Sequence, residues 1–378
     1  MAEADVFEPD RVEGAPHPRE TARLFGHPLA ERSFLEAFNS GRMHHGWLIT
    51  GPRGVGKATL AWRIARFLLA QPPAGAGLFG DPAPADDLAV PADHPVARRI
   101  QALSEPGLKL IRRTLNEQGR PRQVIAVDDV RALRDFFGMS AAEGGRRVVI
   151  VDSADEMNPN AANAILKLLE EPPEGAVLLL VAHQPWRLLP TIRSRCRELR
   201  LSALAPDDLQ AALTQALGDT VDADPDALAE LAAGSVGEAI RILGADGLAL
   251  YGDIVSLLGA MPAMDRARLR SLADSVAGRS GESRFDLVVR LSDLAIARVA
   301  RAGASGQTPP DAAPGEAAMI ARLAPDAVAA RGWAELAADL GARARQGRAV
   351  NLDPAALVLD MFLRMENAAR TLAGRRQR

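Results

Sequence analysis

From Leu24 to about Arg200 the chain alternates short apolar runs with amphipathic stretches of helical period. That is the pattern of strands buried in a parallel sheet and of helices covering its faces. Strands are predicted at residues 47–50, 108–111, 148–151 and 177–181. Helices are predicted at 58–70, with Leu60, Ile64, Phe67 and Leu68 on one face, and at 128–137. A third is capped by Asn158, begins at Pro159 and stops before Pro172-Pro173. Residues 71–95, rich in Pro, Gly, Ala and Asp, read as an irregular insertion.

After Leu201 the strand pattern ends. Helices at 206–217, 225–233 and 238–243 form a small unit, and from Tyr251 onward the pattern is helical, broken by a Gly/Ala/Pro linker at 302–315. The last helix opens at Asp353-Pro354 and carries the stripe Leu357, Val358, Met361, Phe362 and Met365. The expected architecture is an α/β domain over 21–201, a small helical lid over 202–246 and a helical C-terminal domain over 247–378. Residues 1–20, polar and Pro-rich, are expected to be a disordered extension.

Composition narrows the class. The chain has 378 residues, 48% hydrophobic and 25% charged, which suits two or three soluble domains. No apolar run is long enough to span a bilayer and the start has no signal-peptide core, so a cytoplasmic protein without membrane contact is expected. The single cysteine, Cys196, excludes a disulfide framework and a cysteine-cluster zinc site. The formal net charge of −3 leaves any nucleic-acid contact to a local patch or to partners. Arg112, Arg113, Arg120 and Arg122 form one such basic stretch, though a solvated loop is the better reading of it.

Gly51-Pro52-Arg53-Gly54-Val55-Gly56-Lys57 lies between a predicted strand and a predicted helix, the context that a phosphate-binding P-loop requires. Glycines let backbone N–H groups curl around phosphate oxygens, the helix start adds partial positive charge, and lysine supplies a compact full charge. Only Lys57, Lys109 and Lys167 are lysines, so this motif would arise by chance only about 0.02 times. Ala58 stands where a Ser or Thr hydroxyl would ligate Mg²⁺, and Thr59 comes one position late. Residues 148–151 end in Asp152, whose carboxylate fits a metal's water shell, but Ser153 stands where an ATPase motor places the water-polarising glutamate. Binding parts are present and hydrolytic parts are missing.

Two further stretches carry a resemblance. Asn163-Ala164-Ile165-Leu166-Lys167-Leu168-Leu169-Glu170-Glu171-Pro172-Pro173 and Leu188-Leu189-Pro190-Thr191-Ile192-Arg193-Ser194-Arg195-Cys196-Arg197 closely resemble the clamp-loader branch of the AAA+ ATPases. The resemblance covers about Leu24 to Leu243. It implies an AAA+ P-loop parallel-sheet domain, a helical lid and an all-helical collar through which clamp-loader subunits form a hetero-pentamer. It also implies partners: the tau/gamma and delta-type subunits, the sliding clamp, and primer–template DNA through the assembly. Ala58, Ser153 and Gly237, the last replacing the sensor arginine of motor subunits, align the chain with the non-motor subunits rather than with the tau/gamma motor. Gly51, Gly54, Gly56, Lys57, Thr59 and Asp152 are the candidates to hold ATP or ADP without efficient hydrolysis. The resemblance assigns Arg195 to the ATP of a neighbouring subunit, acting in trans. The cysteine-zinc module of many relatives is not expected, since residues 71–107 contain no cysteine.

Overall fold

The computed structural model describes residues 8–72, 84–138, 145–218, 221, 223–277 and 282–376. The chain divides into two compact units, the first comprising Met1–Val221 with Gly234–Gly237 and the second Asp222–Ala233 with Glu238–Arg378. Residues 202–246, expected to form a lid, are thus shared between them.

The first unit is built on five parallel strands: β1 (Gly46–Thr50), β2 (Leu108–Ile111), β3 (Arg147–Val151), β4 (Ala176–Ala182) and β5 (Arg197–Arg200), in the order β2-β3-β4-β1-β5. Its helices are α1 (Pro28–Asn39), α2 (Lys57–Ala70), α3 (Pro95–Gln101), α4 (Val127–Gly138), α5 (Pro159–Glu170), α6 (Pro190–Arg193) and α7 (Pro206–Leu217). Every residue of β1 and β4 is buried, because helices cover both faces of the sheet. Leu48, Val149, Val151, Leu178 and Leu180 pack beneath α4, α5 and α6, while α2 lies against the other face. Asn158 caps α5 as expected, its side chain accepting from Ala161 N at 2.8 Å, and Pro159 opens the helix. This is an α/β core of five parallel strands with helices on both faces, carrying a glycine-rich loop between β1 and α2.

Helices α1, α3 and α6 add to those the sequence predicts, and two further departures are instructive. β5 was not foreseen: its residues, Arg-Glu-Leu-Arg, bury only Leu199, too little apolar pattern to signal a strand. Residues 8–20, within the stretch expected to be disordered, are folded. His17 is fully buried, Nε2 lying 2.9 Å from Asp10, and Asp10 pairs with Arg112 at 2.7 Å. A charge network, not an apolar stripe, holds this segment down, and hydrophobic periodicity is blind to it. Residues 1–7 lie outside the described residues, as do 73–83 of the insertion.

Beyond Arg200 every described element is an α-helix. The second unit holds α8 (Pro225–Ala232), most of α9 (Val236–Gly244), α10 (Gly247–Gly259), α11 (Arg266–Asp274), α12 (Glu282–Ser305), α13 (Glu316–Leu323), α14 (Ala327–Ala349) and α15 (Pro354–Arg376). Val358, Met361, Phe362 and Met365 of the expected α15 stripe are buried. A buried cluster ties four helices together: Arg298 donates to Glu316 and Glu230, each at 2.7 Å, and Tyr251 donates to Glu316 at 2.6 Å. No single described helix is long and apolar enough to cross a membrane.

Candidate functional site

At the carboxyl end of β1 the chain turns through three glycines with positive φ, Gly51 (142°), Gly54 (78°) and Gly56 (101°), before α2 begins at Lys57. The turn is tightly packed as well as left-handed. A Cβ on Gly51 would lie 2.3 Å from the Leu201 carbonyl oxygen, and one on Gly54 would lie 2.2 Å from Ser235 Oγ. The resulting cradle of backbone N–H groups at a helix start fits a polyphosphate.

Lys57 is 3% exposed, and its ammonium donates to the carbonyls of Gly51, at 2.8 Å, and Pro52. Burial pushes its pKa down to about 8, against the opposing pull of Asp155 and Asp152. Asp152, at the end of β3, is also buried. Burial, reinforced by Asp10 and Glu156, raises its carboxyl to about 7, while Arg112 and Lys57 act the other way. Ala58 offers no oxygen to a metal. Thr59, the third residue of α2, is half-buried and stands about 100° round the helix from position 58. Among the described residues no group of three or more His, Cys, Asp or Glu side chains could hold a metal by itself.

Ser153 adopts a left-handed conformation at φ 58°, and its hydroxyl lies 3.3 Å from His183 Nε2. Asp155 closes this end of the sheet: its carboxylate accepts from the backbone N–H groups of His183 and Gln184 at 2.9 and 3.0 Å. Neither Ser153 nor Asp155 is therefore free to polarise water. Gly237 N donates to the Gly54 carbonyl at 3.2 Å, so the position where motor subunits carry a sensor arginine touches the phosphate loop with no side chain. Arg241, one turn later, pairs with Glu238 at 3.4 Å.

His183 and His27 belong to this neighbourhood, and sequence reasoning passed over both. Burial, with Lys57 and Arg53 nearby, pushes the His183 imidazole down to about 4, so it is neutral at physiological pH. His27 lies 2.9 Å from the Val55 carbonyl of the loop. The signal for His183 was its place directly after an apolar run, at the carboxyl edge where parallel sheets bind ligands. Within the basic stretch Arg112 pairs with Asp10, and Arg113 with Glu156 at 2.8 Å.

Arg195 is elsewhere. It follows α6, and a Cβ on Gly46, the first residue of β1, would lie 3.2 Å from its carbonyl oxygen. Gly51 is five residues further along, so Arg195 and the phosphate loop stand roughly 17 Å apart at opposite ends of one strand. Its guanidinium reaches Glu170 at 3.0 Å and the Thr191 carbonyl at 3.1 Å, and the side chain is 39% exposed. Cys196, half-buried beside it, has its thiol pushed up to about 12 by burial, which suits packing and not nucleophilic chemistry.

Residues 26–205 match the family described as DNA polymerase III, delta subunit. Over those residues, a little under half of its length, the chain is similar to this family. It is 45% identical over 152 residues to DNA polymerase III subunit delta' of Pseudomonas aeruginosa, covering 40% of this chain and 41% of that one. Its identity to DNA polymerase III subunit gamma/tau of Mycobacterium tuberculosis is lower, 29% over 308 residues, covering 74% of this chain and 50% of that protein. These matches span half or less of each relative's length. A gamma-subunit-related protein from Thermotoga maritima overlays 89% of this chain and 99% of its own at 20% identity, with a TM-score of 0.41. That overlay is too loose to carry an argument. The higher identity is to the delta' protein, in line with Ala58, Ser153 and Gly237.

Proposed function

We propose that this chain is a clamp-loader subunit of a replicative DNA polymerase III, serving as stator and as donor of Arg195 to a neighbouring motor subunit. Its partners are tau/gamma-type and delta-type subunits in a hetero-pentamer, together with the sliding clamp and, through the assembly, primer–template DNA. The observation that carries the reading is the placement of Arg195, roughly 17 Å from its own phosphate loop and half-exposed. An arginine so placed serves a phosphate outside its own site. Its planar, permanently charged guanidinium stabilises charge developing on a transferring γ-phosphoryl group.

ATP or ADP, when bound, would be held by Gly51, Gly54, Gly56, Lys57 and Asp152, with Thr59 the nearest hydroxyl in sequence for magnesium. The nucleotide would supply a reactive phosphoanhydride. This chain's part is limited to binding it, because Ala58 lacks the metal-ligating oxygen and Ser153 is bonded to His183.

The test is Arg195→Ala in the reconstituted assembly. Size-exclusion chromatography should find the complex intact, since a surface arginine contributes little to folding. ATP hydrolysis stimulated by clamp and primed DNA should fall several-fold. Trans-acting arginines supply about 10³–10⁵ in rate at their own site, but the other sites keep theirs. Unchanged hydrolysis in an intact complex removes the assignment. The intact G-x-x-x-x-G-K and the gamma/tau relatives favour a second reading, a competent tau/gamma-type motor. Turnover of about 1 s⁻¹ or faster by the isolated chain, abolished by Lys57→Ala, would select it.

A further inference from the structure

Arg193, Arg195 and Arg197 flank one turn, yet their surroundings differ. Arg193 lines a surface cavity of about 460 Å³ beside Trp186. Arg197 lies over the Trp47 ring, 5.3 Å from its centroid. Among the described residues Arg195 alone of the three is in an ion pair, Nη2 standing 3.0 Å from Glu170 Oε1 while Nη1 donates to the Thr191 carbonyl at 3.1 Å. Glu170 is the last residue of α5, a buried-face helix anchored at its start by the Asn158 cap, so its carboxylate is presented from a fixed point. Glu170 is 44% exposed and Arg195 39% exposed. The pair is open to solvent and to competing anions.

We propose that Glu170 is a positioning residue that holds Arg195 in cis, withholding its guanidinium from a neighbouring subunit until the phosphates of that subunit's ATP displace the carboxylate. The inference rests on the trans role of Arg195 proposed above. The chemistry favours exchange: a triphosphate is more highly charged than a carboxylate and presents the same paired oxygens to the guanidinium fork. The hold is weak by construction, because an exposed ion pair biases an equilibrium by no more than about fivefold. It therefore damps idle hydrolysis without blocking the engaged state.

The experiment uses the reconstituted assembly with wild-type chain, Glu170→Gln, Arg195→Ala and the double variant, each checked for assembly by size exclusion and for folding by thermal melting. ATP hydrolysis is measured with and without clamp and primed DNA, at low and high salt. Glu170→Gln should raise unstimulated hydrolysis about two- to fivefold and leave the stimulated rate unchanged. The gain should shrink in high salt, where the pair is screened in the wild type as well. In the Arg195→Ala background the Glu170 substitution should do nothing, a non-additivity that a merely structural role would not produce. If Arg195→Ala lowers stimulated hydrolysis while Glu170→Gln leaves the unstimulated rate unchanged or reduces it, the restraint is refuted and the trans arginine stands. If Arg195→Ala changes nothing, the trans arginine and the restraint fall together.

Discussion

The two ends of β1 differ sharply: the carboxyl end is buried and closely packed, and the amino end lies beside a half-exposed arginine. At the carboxyl end a glycine loop is packed against Leu201, Ser235 and Gly237, beside a buried lysine and a buried aspartate. At the amino end Arg195 is half-exposed and paired with Glu170, the arrangement from which its action on a neighbour's phosphate is proposed. The difference teaches how a phosphate-loop signature should be read. Gly51 and Gly54 are required by the packing of the loop whether or not a nucleotide binds, since any Cβ there would strike neighbouring atoms. A glycine pattern can therefore persist whether or not catalysis does. Side chains that serve only chemistry are the better reporters of function, and positions 58, 153 and 237 hold Ala, Ser and Gly here.

The largest effect expected from this contrast is on hydrolysis by the chain alone. Turnover should lie well below about 1 s⁻¹, the lower end of the range of roughly 1–100 s⁻¹ typical of phosphoryl-transfer enzymes such as kinases. Ala58→Ser by itself should not restore it. Ser153 would remain in its left-handed turn bonded to His183, and no carboxylate would face the attacking water. A steady-state ATPase assay of purified wild type and Ala58→Ser decides this; a fast variant would show that only the metal ligand had been lost.

Next in size is the response of the loop to a single methyl group. Gly54→Ala places a Cβ 2.2 Å from Ser235 Oγ and 3.1 Å from Gly237 N, at a φ of 78°. The hydroxyl can rotate only by giving up its bond to the Arg53 carbonyl, and the backbone contact cannot yield so easily. Strain of this kind costs about 1–3 kcal/mol. Denaturant unfolding should register the loss, and ADP binding measured by calorimetry should weaken in parallel. A variant as stable as wild type would mean that the cradle is looser than its contacts imply.

How much of this was legible beforehand follows the same division. Four strands, the α5 cap at Asn158 and the phosphate loop were readable because apolar period, Pro and Gly announce them locally. β5 was hidden because three of its four residues are charged and its burial is supplied by neighbours far along the chain. The fold of residues 8–20 was hidden because Asp10, His17 and Arg112 are joined across about a hundred residues, and polar networks leave no periodic trace. His183 was missed for a similar reason: only the parallel register, which brings the ends of β3 and β4 together, sets it beside Ser153. Arg195 could be named from its motif, but that it stands at the far end of β1 from Lys57 needed the sheet order.

The smallest expected effect is a pH dependence of nucleotide binding at the carboxyl end, and its sign can be worked out. Lys57 must be an ammonium to attract phosphate, and its pKa is lowered to about 8, with Asp155 and Asp152 opposing burial and Arg53 reinforcing it. Above pH 8 each further unit should weaken ADP affinity by up to about tenfold, until the pKa of the complex is passed. Asp152 has the opposite perturbation, raised to about 7, with Asp10 and Glu156 adding to burial and Arg112 and Lys57 relieving it. Below pH 7 it is neutral and does not repel an anion; above pH 7 it does. In chelator-containing buffer, without divalent cations, affinity should therefore be greatest below pH 7 and fall in two waves, near 7 and near 8. Stability should follow the same groups by linkage. The raised Asp152 carboxyl makes folding less favourable as pH climbs from about 4 to 7. The lowered Lys57 ammonium makes folding more favourable from about 8 to 10.5. Calorimetric titration with ADP from pH 6 to 9 measures the binding profile. Asp152→Asn should abolish the first wave and keep the second, and a profile that is flat across both would show that neither group meets the phosphates.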